Sequence, residues 1–277
     1  MPESLEAVAD ACGLPIAEIE RVAAPDPAAF TRQYESVSRP VILTGLTGDW
    51  LRPDEWTPRR LSERHGSARV LAAAIANGAL LDEPGTGVIF RHVSLAAFVA
   101  SLERGEAVRN YVMAPTGNFS AQLQEEYRVP AYCRDAAHLR IKVWVGGANT
   151  VTPTHRDVPH NLHVHLHGRK RWLLFAPGQS RHLYPRGLFS GMPNFANVDP
   201  ERPDYARYPA FRGAAIQGAV LEPGETLFIP HGWWHHTRSL DNTVAMNFWY
   251  GGAVIQCISF ASTLFKKVTG IRRNEWR

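Results

Sequence analysis

Cysteine is scarce in this chain of 277 residues: Cys12, Cys133 and Cys257 are far apart and odd in number. That excludes a disulfide framework, and there is no C-x-x-C pair from which to build a zinc site. No apolar run approaches the ~20 residues that a membrane-spanning helix needs. The opening stretch, MPESLEAVADACGLP, is acidic and polar, unlike a signal peptide. Strong charge of one sign is missing too. The net charge is +4, and basic residues are spread out apart from GRKR and a closing KK…RR. Solvated faces explain that pattern better than a nucleic-acid partner does. Internal repeats, low-complexity tracts and a clear interdomain linker are also lacking. These absences point to a soluble protein of a reducing compartment, the cytoplasm, without a membrane partner.

What is present suits one large core. Apolar residues make up 45% of the chain and charged residues 20%, a balance that disfavours disorder. The first hundred residues mix helix and strand. Asp26 and Pro27 form a cap-then-proline start, and Thr57 and Pro58 repeat it, with Gly66 closing the second helix. SLAAFVASLERG places Leu95, Phe98, Val99 and Leu102 on one stripe. RPVILTG reads as a short buried strand. After residue 105 the pattern changes to strand-like runs: RNYVMAP, LRIKVWV, HNLHVHLHG, KRWLLFAP, AVLEPGETLFIP, WHHTRSL and TVAMNFWYG. Their close spacing without intervening helices predicts an antiparallel barrel or sandwich. Residues 184–215 form a longer excursion dense in Pro, Asn and Asp, and long loops of this kind are often functional. A last helix is expected from Val254, Cys257, Ala261, Leu264 and Val268, its apolar stripe packing on the barrel or on a second copy. The expected organisation is an α/β extension over 1–105, the β core over 106–252, and a C-terminal helix and tail over 253–277.

Between Thr154 and Trp172, THRDVPHNLHVHLHGRKRW holds five of the chain's twelve histidines. In a strand, His155 and Asp157 would point the same way, ~6.6 Å apart. An imidazole and a carboxylate so placed can share a metal ion. A facial triad of two histidines and one carboxylate leaves adjacent positions open and is the usual site of non-haem Fe(II) oxygenases. The pair therefore needs a second histidine from a distant strand. PHGWWHHTRSL offers His235 and His236, of which only one can face inward. Arg238 is expected to reach solvent and to take His236 outward with it. His235, Thr237 and Ser239 then point inward, and His231, between Pro230 and Gly232, reads as a turn residue. If Asn161 faces the same cavity, His163, His165 and His167 share its parity, and Leu162, Val164 and Leu166 pack outside. Whether these three imidazoles touch a ligand or simply line the interior stays open.

TVTPTHRDVPHNLHVHLHGRKRWLLFAP, followed by EPGETLFIPHGWWHHTRSLDNTVAMNFWY, resembles the cupin-like, jumonji-C class of Fe(II)- and 2-oxoglutarate-dependent oxygenases, especially its asparaginyl-hydroxylase branch. The similarity runs over residues 20–250 and is clearest over 109–250. It implies a double-stranded β-helix, a jelly roll, in which His155, Asp157 and His235 bind Fe(II). Lys170 would pair with the distal carboxylate of 2-oxoglutarate, while Thr152 and Tyr111 offer hydroxyls to it. Asn161 and Asn247 would lie beside cosubstrate and metal, with Trp249 lining that region. Read from its neighbours alone, Lys170 between Arg169 and Arg171 would sit on a solvated face. His163 departs from the branch, which has a phenylalanine there. The resemblance implies O2-dependent hydroxylation of an amino-acid side chain in a peptide or protein. Other readings are a hydroxylase of a free amino acid or small metabolite, a non-catalytic metal-binding cupin, and a hydroxylase of RNA nucleosides. Self-association through 254–268 is a further expectation.

Overall fold

The structure, a computed structural model, describes residues 3–252 apart from 49, scattered positions between 74 and 89, 107–110, 135, 137, 188, 189 and 191, and beyond them only Cys257. The expected C-terminal helix and the dimer contact assigned to it lie outside the described residues.

Helix starts follow the capping signals. Asp26 accepts the Ala29 N–H at 2.9 Å at the start of a helix over Pro27–Phe30, and Thr57 accepts from Arg60 at 3.1 Å ahead of Pro58–His65. The helix Leu95–Glu103 buries Leu95, Phe98, Val99 and Leu102, the stripe its spacing defines. A helix over Leu5–Cys12, capped by Ser4 and ended by Gly13 at φ 69°, is easily overlooked in the sequence because its only buried residues are Val8 and Cys12.

The strands used below, in chain order, are β1 (Ile16–Glu18), β2 (Arg21–Ala23), β3 (Val41–Thr44), β4 (Arg69–Ala73), β5 (Phe90–Ser94), β6 (Tyr111–Pro115) and β7 (Arg140–Gly146). They continue as β8 (Val151–Arg156), β9 (His160–His167), β10 (Lys170–Phe175), β11 (Ile216–Leu221), β12 (Thr226–Ile229), β13 (Trp234–Ser239) and β14 (Thr243–Tyr250). One sheet has five strands in the order β1-β11-β10-β13-β8. The other has nine, β2-β3-β12-β9-β14-β7-β6-β4-β5. Apart from β1 with β11 and β2 with β3, the pairings in both sheets are antiparallel. The sheets face each other: Ile42, Leu227 and Ile229 of one pack with Trp172, Leu174, Ala219 and Leu221 of the other. The result is a jelly-roll β core with flanking helices.

Period-two alternation then sorts the side chains. His163 and His165 point between the sheets. Leu162, Val164 and Leu166 point away, but not to water. They are 0% exposed, covered by Phe30, Leu61, Phe98 and other residues of the N-terminal segment. That covering explains why both faces of β9 are buried, and why the run looks odd for a strand with one wet side. Gly168, at φ 75°, makes the turn into β10 where a Cβ would fall 2.2 Å from the Asn242 carbonyl oxygen.

Candidate metal centre

β8 is an edge of the five-stranded sheet, and its partner is β13, with His155 opposite His235. The strand ends at Arg156, one residue earlier than an unbroken strand through Asp157 requires. Its register with β13 shifts between Thr152 and His155, and Pro159 lacks an N–H with which to extend the ladder. Asp157 therefore lies in the turn into β9, held there by the Gly232 N–H donating to its carbonyl at 3.1 Å. His231 is indeed part of that turn: its Nδ1–H donates to the Val158 carbonyl and its backbone N–H to His160 Nδ1.

From these places one ligand atom each of His155, Asp157 and His235 converges, all within 4.8 Å of one another. The backbone selects the tautomers. His155 Nδ1–H donates to the Pro153 carbonyl at 2.9 Å, and His235 Nδ1–H to the Trp233 carbonyl at 3.2 Å. Each Nε2 is left with its lone pair free. Burial, then the neighbouring His155, pushes His235 down to about 3, so it is neutral at physiological pH. Burial opposes ionisation of Asp157, but the imidazoles beside it, the Trp249 N–H and Lys142 outweigh that and hold the carboxyl below its ordinary value. Trp249 Nε1 donates to Asp157 Oδ2 at 3.0 Å. Two imidazole nitrogens and one oriented carboxylate fit a divalent iron-type ion.

The 184–215 excursion closes over this edge. Asn194 and Ala196 hydrogen-bond the backbone of β8 at Arg156 and Thr154, and Phe195 stacks on His155 with ring centroids 5.0 Å apart. Phe195 has no sequence signal; it emerges only when a long loop folds back on the strand.

Arg238 does not reach solvent. It is 7% exposed and, with Arg171, holds the buried Glu201 of the same excursion, while His236 Nε2 lies 3.4 Å from that carboxylate. His236 faces outward beside Arg238, as parity requires, but into a buried ion cluster. Charges fully paired with each other can be covered, and no single-strand pattern reveals a partner 37 residues away. Asp199, Glu201 and His236 also bring ligand atoms within 4.8 Å of one another. Two guanidinium groups already neutralise that site, so it does not suit a cation.

Deeper between the sheets, Lys170 shares the inward face with Trp172 and lies opposite Ser239, as Thr152 does opposite Thr237. Among the described residues no carboxylate pairs with Lys170, and burial alone pushes it down to about 8. Tyr111 lies inside the nine-stranded sheet, its ring 5.3 Å from that of Trp144, and burial pushes its phenol up. Asn247 donates to Asn161 Oδ1 at 2.8 Å and accepts from His163 Nδ1 at 3.0 Å. His163 and His165 are neutral, lowered by burial and then by Lys170. His167 lies at the half-buried end of the strand. Trp144 Nε1, Trp172 Nε1, His163 Nε2 and His165 Nδ1 are buried without a hydrogen-bond partner. Orphaned polar groups and a lone ammonium fit an interior that holds a polar, anionic molecule such as a dicarboxylate.

Residues 27–253 match the family described as Cupin-like domain. The chain is 26% identical over 225 residues to Lysine-specific demethylase 8 of Xenopus tropicalis, covering 80% of this chain and 50% of that protein. To Lysine-specific demethylase 8 of Danio rerio it is 27% identical over 242 residues, covering 85% and 59%. A shorter match, 34% over 133 residues, is to Jumonji C domain-containing protein 5 of Drosophila melanogaster, covering 46% and 33%. The chain thus spans about half the length of the curated relatives it matches over most of its length. With a jelly roll that brings an H-x-D pair to a distant histidine, the chain belongs to the cupin-like domain family, in its jumonji-C type.

Proposed function

We propose that the chain is an Fe(II)- and 2-oxoglutarate-dependent oxygenase that hydroxylates an unactivated C–H bond of an amino-acid side chain in a peptide or protein. The observation that carries this reading is the convergence of two imidazole Nε2 atoms and one carboxylate, each side chain oriented by its own hydrogen bond. When bound, metal and cosubstrate supply the oxidation: O2 is divided between substrate, C–H becoming C–OH, and 2-oxoglutarate, which leaves as succinate and CO2. The chain supplies the rest. His155, Asp157 and His235 would hold the metal. Lys170 takes the distal carboxylate, with Thr152 and Tyr111 on the inward faces of the two sheets beside it. Asn161 and Asn247 fix each other's amide orientation, so that the wall next to the metal stays rigid. Buried side chains exclude water from the reacting atoms. A metal-storing cupin has no use for an unpaired buried ammonium, which favours turnover over storage. The names of the lysine-specific demethylase relatives favour a protein side chain as the prime substrate.

Anaerobic addition of Fe(II) and 2-oxoglutarate should give a weak visible charge-transfer band, absent in a His155→Ala, Asp157→Ala variant. A succinate-release screen over peptides and amino acids, read by mass for one added oxygen, then identifies the substrate. No band in the wild type, or its survival in the double variant, would sink the oxygenase reading.

A further inference from the structure

We infer that the acid held between the sheets carries a hydroxyl beside its distal carboxylate, and that His163 and His165 set the preference of this pocket for a hydroxylated 2-oxo diacid. This rests on the oxygenase reading above and narrows the chemistry of the cosubstrate.

The observation is a pair of buried acceptors that lack a donor. Asn247 Nδ2 donates to Asn161 Oδ1, which turns Asn247 Oδ1 toward His163. His163 therefore donates from Nδ1, and its Nε2 keeps a lone pair. His165 donates from Nε2 to the Gly168 carbonyl at 2.7 Å, so its Nδ1 keeps one as well. His163 is 2% exposed and His165 0%, and among the described residues neither of these two nitrogens has a hydrogen-bond partner. The rings lie 5.7 Å apart on the inward face of β9.

Two donors share that interior. The buried Trp172 ring is 4.6 Å from that of His163 and 5.8 Å from that of His235, and its Nε1–H is unpartnered too. Lys170 stands two residues earlier on the same face of β10. It is near enough that, after burial, it does most to keep both imidazoles neutral. The cluster thus runs from one indole away from the candidate metal ligand His235 to the ammonium proposed for the distal carboxylate.

Hydrogen-bond capacity gives the direction. The 2-oxoglutarate dianion only accepts. It can answer Lys170 and Trp172, but it turns lone pairs toward His163 Nε2 and His165 Nδ1, and an acceptor buried without a donor is costly. A hydroxyl both donates and accepts. On the carbon next to the distal carboxylate, it can donate to an imidazole and accept from the indole N–H while the carboxylate stays on Lys170. A water can make the same bonds but must be immobilised separately. A hydroxyl carried by the acid is already held, an advantage of up to about 30-fold. Both acceptors sit on one wall, so the two configurations at the hydroxyl-bearing carbon should not bind alike.

The test titrates full-length, Mn(II)-loaded protein by isothermal calorimetry. The probes are 2-oxoglutarate, each enantiomer of 4-hydroxy-2-oxoglutarate, and 4-methyl-2-oxoglutarate, which has similar bulk and no donor. One hydroxy enantiomer should bind at least fivefold more tightly than both 2-oxoglutarate and the methyl acid. His163→Phe or His165→Leu, whichever removes the acceptor in use, should bring that ratio close to one. The wild-type comparison needs no variant and stands if either substitution prevents folding. A wild-type ratio below fivefold against 2-oxoglutarate overturns the inference and leaves the imidazoles to a water. A methyl acid that matches the hydroxy acid overturns it, as does a preference that survives in both variants. Mn(II)-loaded protein with no saturable response to any of these acids fails at the earlier step, overturning the oxygenase reading and this inference with it.

Discussion

Replacing Glu201 by glutamine tests how the 184–215 excursion is fastened over the metal-bearing strand. The Glu201 carboxylate is 4% exposed, Arg171 1% and Arg238 8%. Arg238 Nε donates to both of its oxygens, at 3.1 and 2.7 Å, while Arg171 binds Oε1 from the neighbouring strand. Burial opposes ionisation of Glu201, but His236, Arg238 and Arg171 hold its carboxyl far below the ordinary value. An amide takes away the carboxylate charge that the two buried guanidinium groups share. Removing one partner from such a cluster costs about 3–5 kcal/mol. In a domain of this size each kcal/mol moves Tm by about 2 °C, so a fall of roughly 6–10 °C is expected. Differential scanning calorimetry at pH 7 reads it. Because the folded carboxyl lies below its unfolded value, the ion cluster stabilises fully above about pH 4.3, and the gap between wild type and variant narrows as pH falls further. Adding Arg171→Met and Arg238→Met to Glu201→Gln should recover part of the loss. A Tm within 2 °C of wild type would refute the reasoning, as would a gap that widens in acid.

Further outcomes concern metal, cosubstrate and pH. His235→Ala should lower Mn(II) affinity at least ~100-fold in equilibrium dialysis, while His236→Ala, which loosens the Glu201 cluster instead, keeps metal. Trp249→Phe, which deletes the N–H held by Asp157, should weaken metal binding by ~10- to 100-fold without unfolding the protein. Lys170→Ala should raise the dissociation constant for 2-oxoglutarate at least ~30-fold, the loss of about 2 kcal/mol from a buried charge pair. Arg169→Ala, whose guanidinium is 40% exposed and paired with Asp241, should change it less than threefold. With Lys170 pushed down to about 8, the binding ammonium is lost above that pH, so wild-type affinity for 2-oxoglutarate should fall there. Stability of the ligand-free protein should instead rise between about pH 8 and 10.5, where the unfolded chain binds the extra proton.

Strands with strong local signals were legible in the sequence. HNLHVHLHG and TVAMNFWYG form β9 and β14, because alternation and turn residues agree with the ladder that tertiary packing imposes. Parity with Arg238 also placed His235 inward and His236 outward, but the premise that Arg238 reaches solvent fails: it ends in a buried ion cluster. What parity cannot give is the environment of an outward face. Arg238 looked solvated because arginine usually is, and only a distant Glu201 makes its burial affordable. Asp157 looked like a strand residue because H-x-D fits a period of two, whereas Pro159 and the register shift turn the chain before it. Lys170 read locally as surface between two arginines. Its inward direction is set by the turn at Gly168, which restarts the alternation. Phe195 gains meaning only from a neighbour that folding brings to it, the imidazole of His155.

A crystal structure of the protein loaded anaerobically with Fe(II), or with Mn(II), and located by anomalous scattering, puts the metal centre to the most direct test. One peak should stand about 2 Å from His155 Nε2, His235 Nε2 and an Asp157 oxygen, with Trp249 still bonded to that carboxylate. A peak at Asp199, Glu201 and His236 instead, or imidazoles at 155 and 235 turned away from a common point, would contradict it.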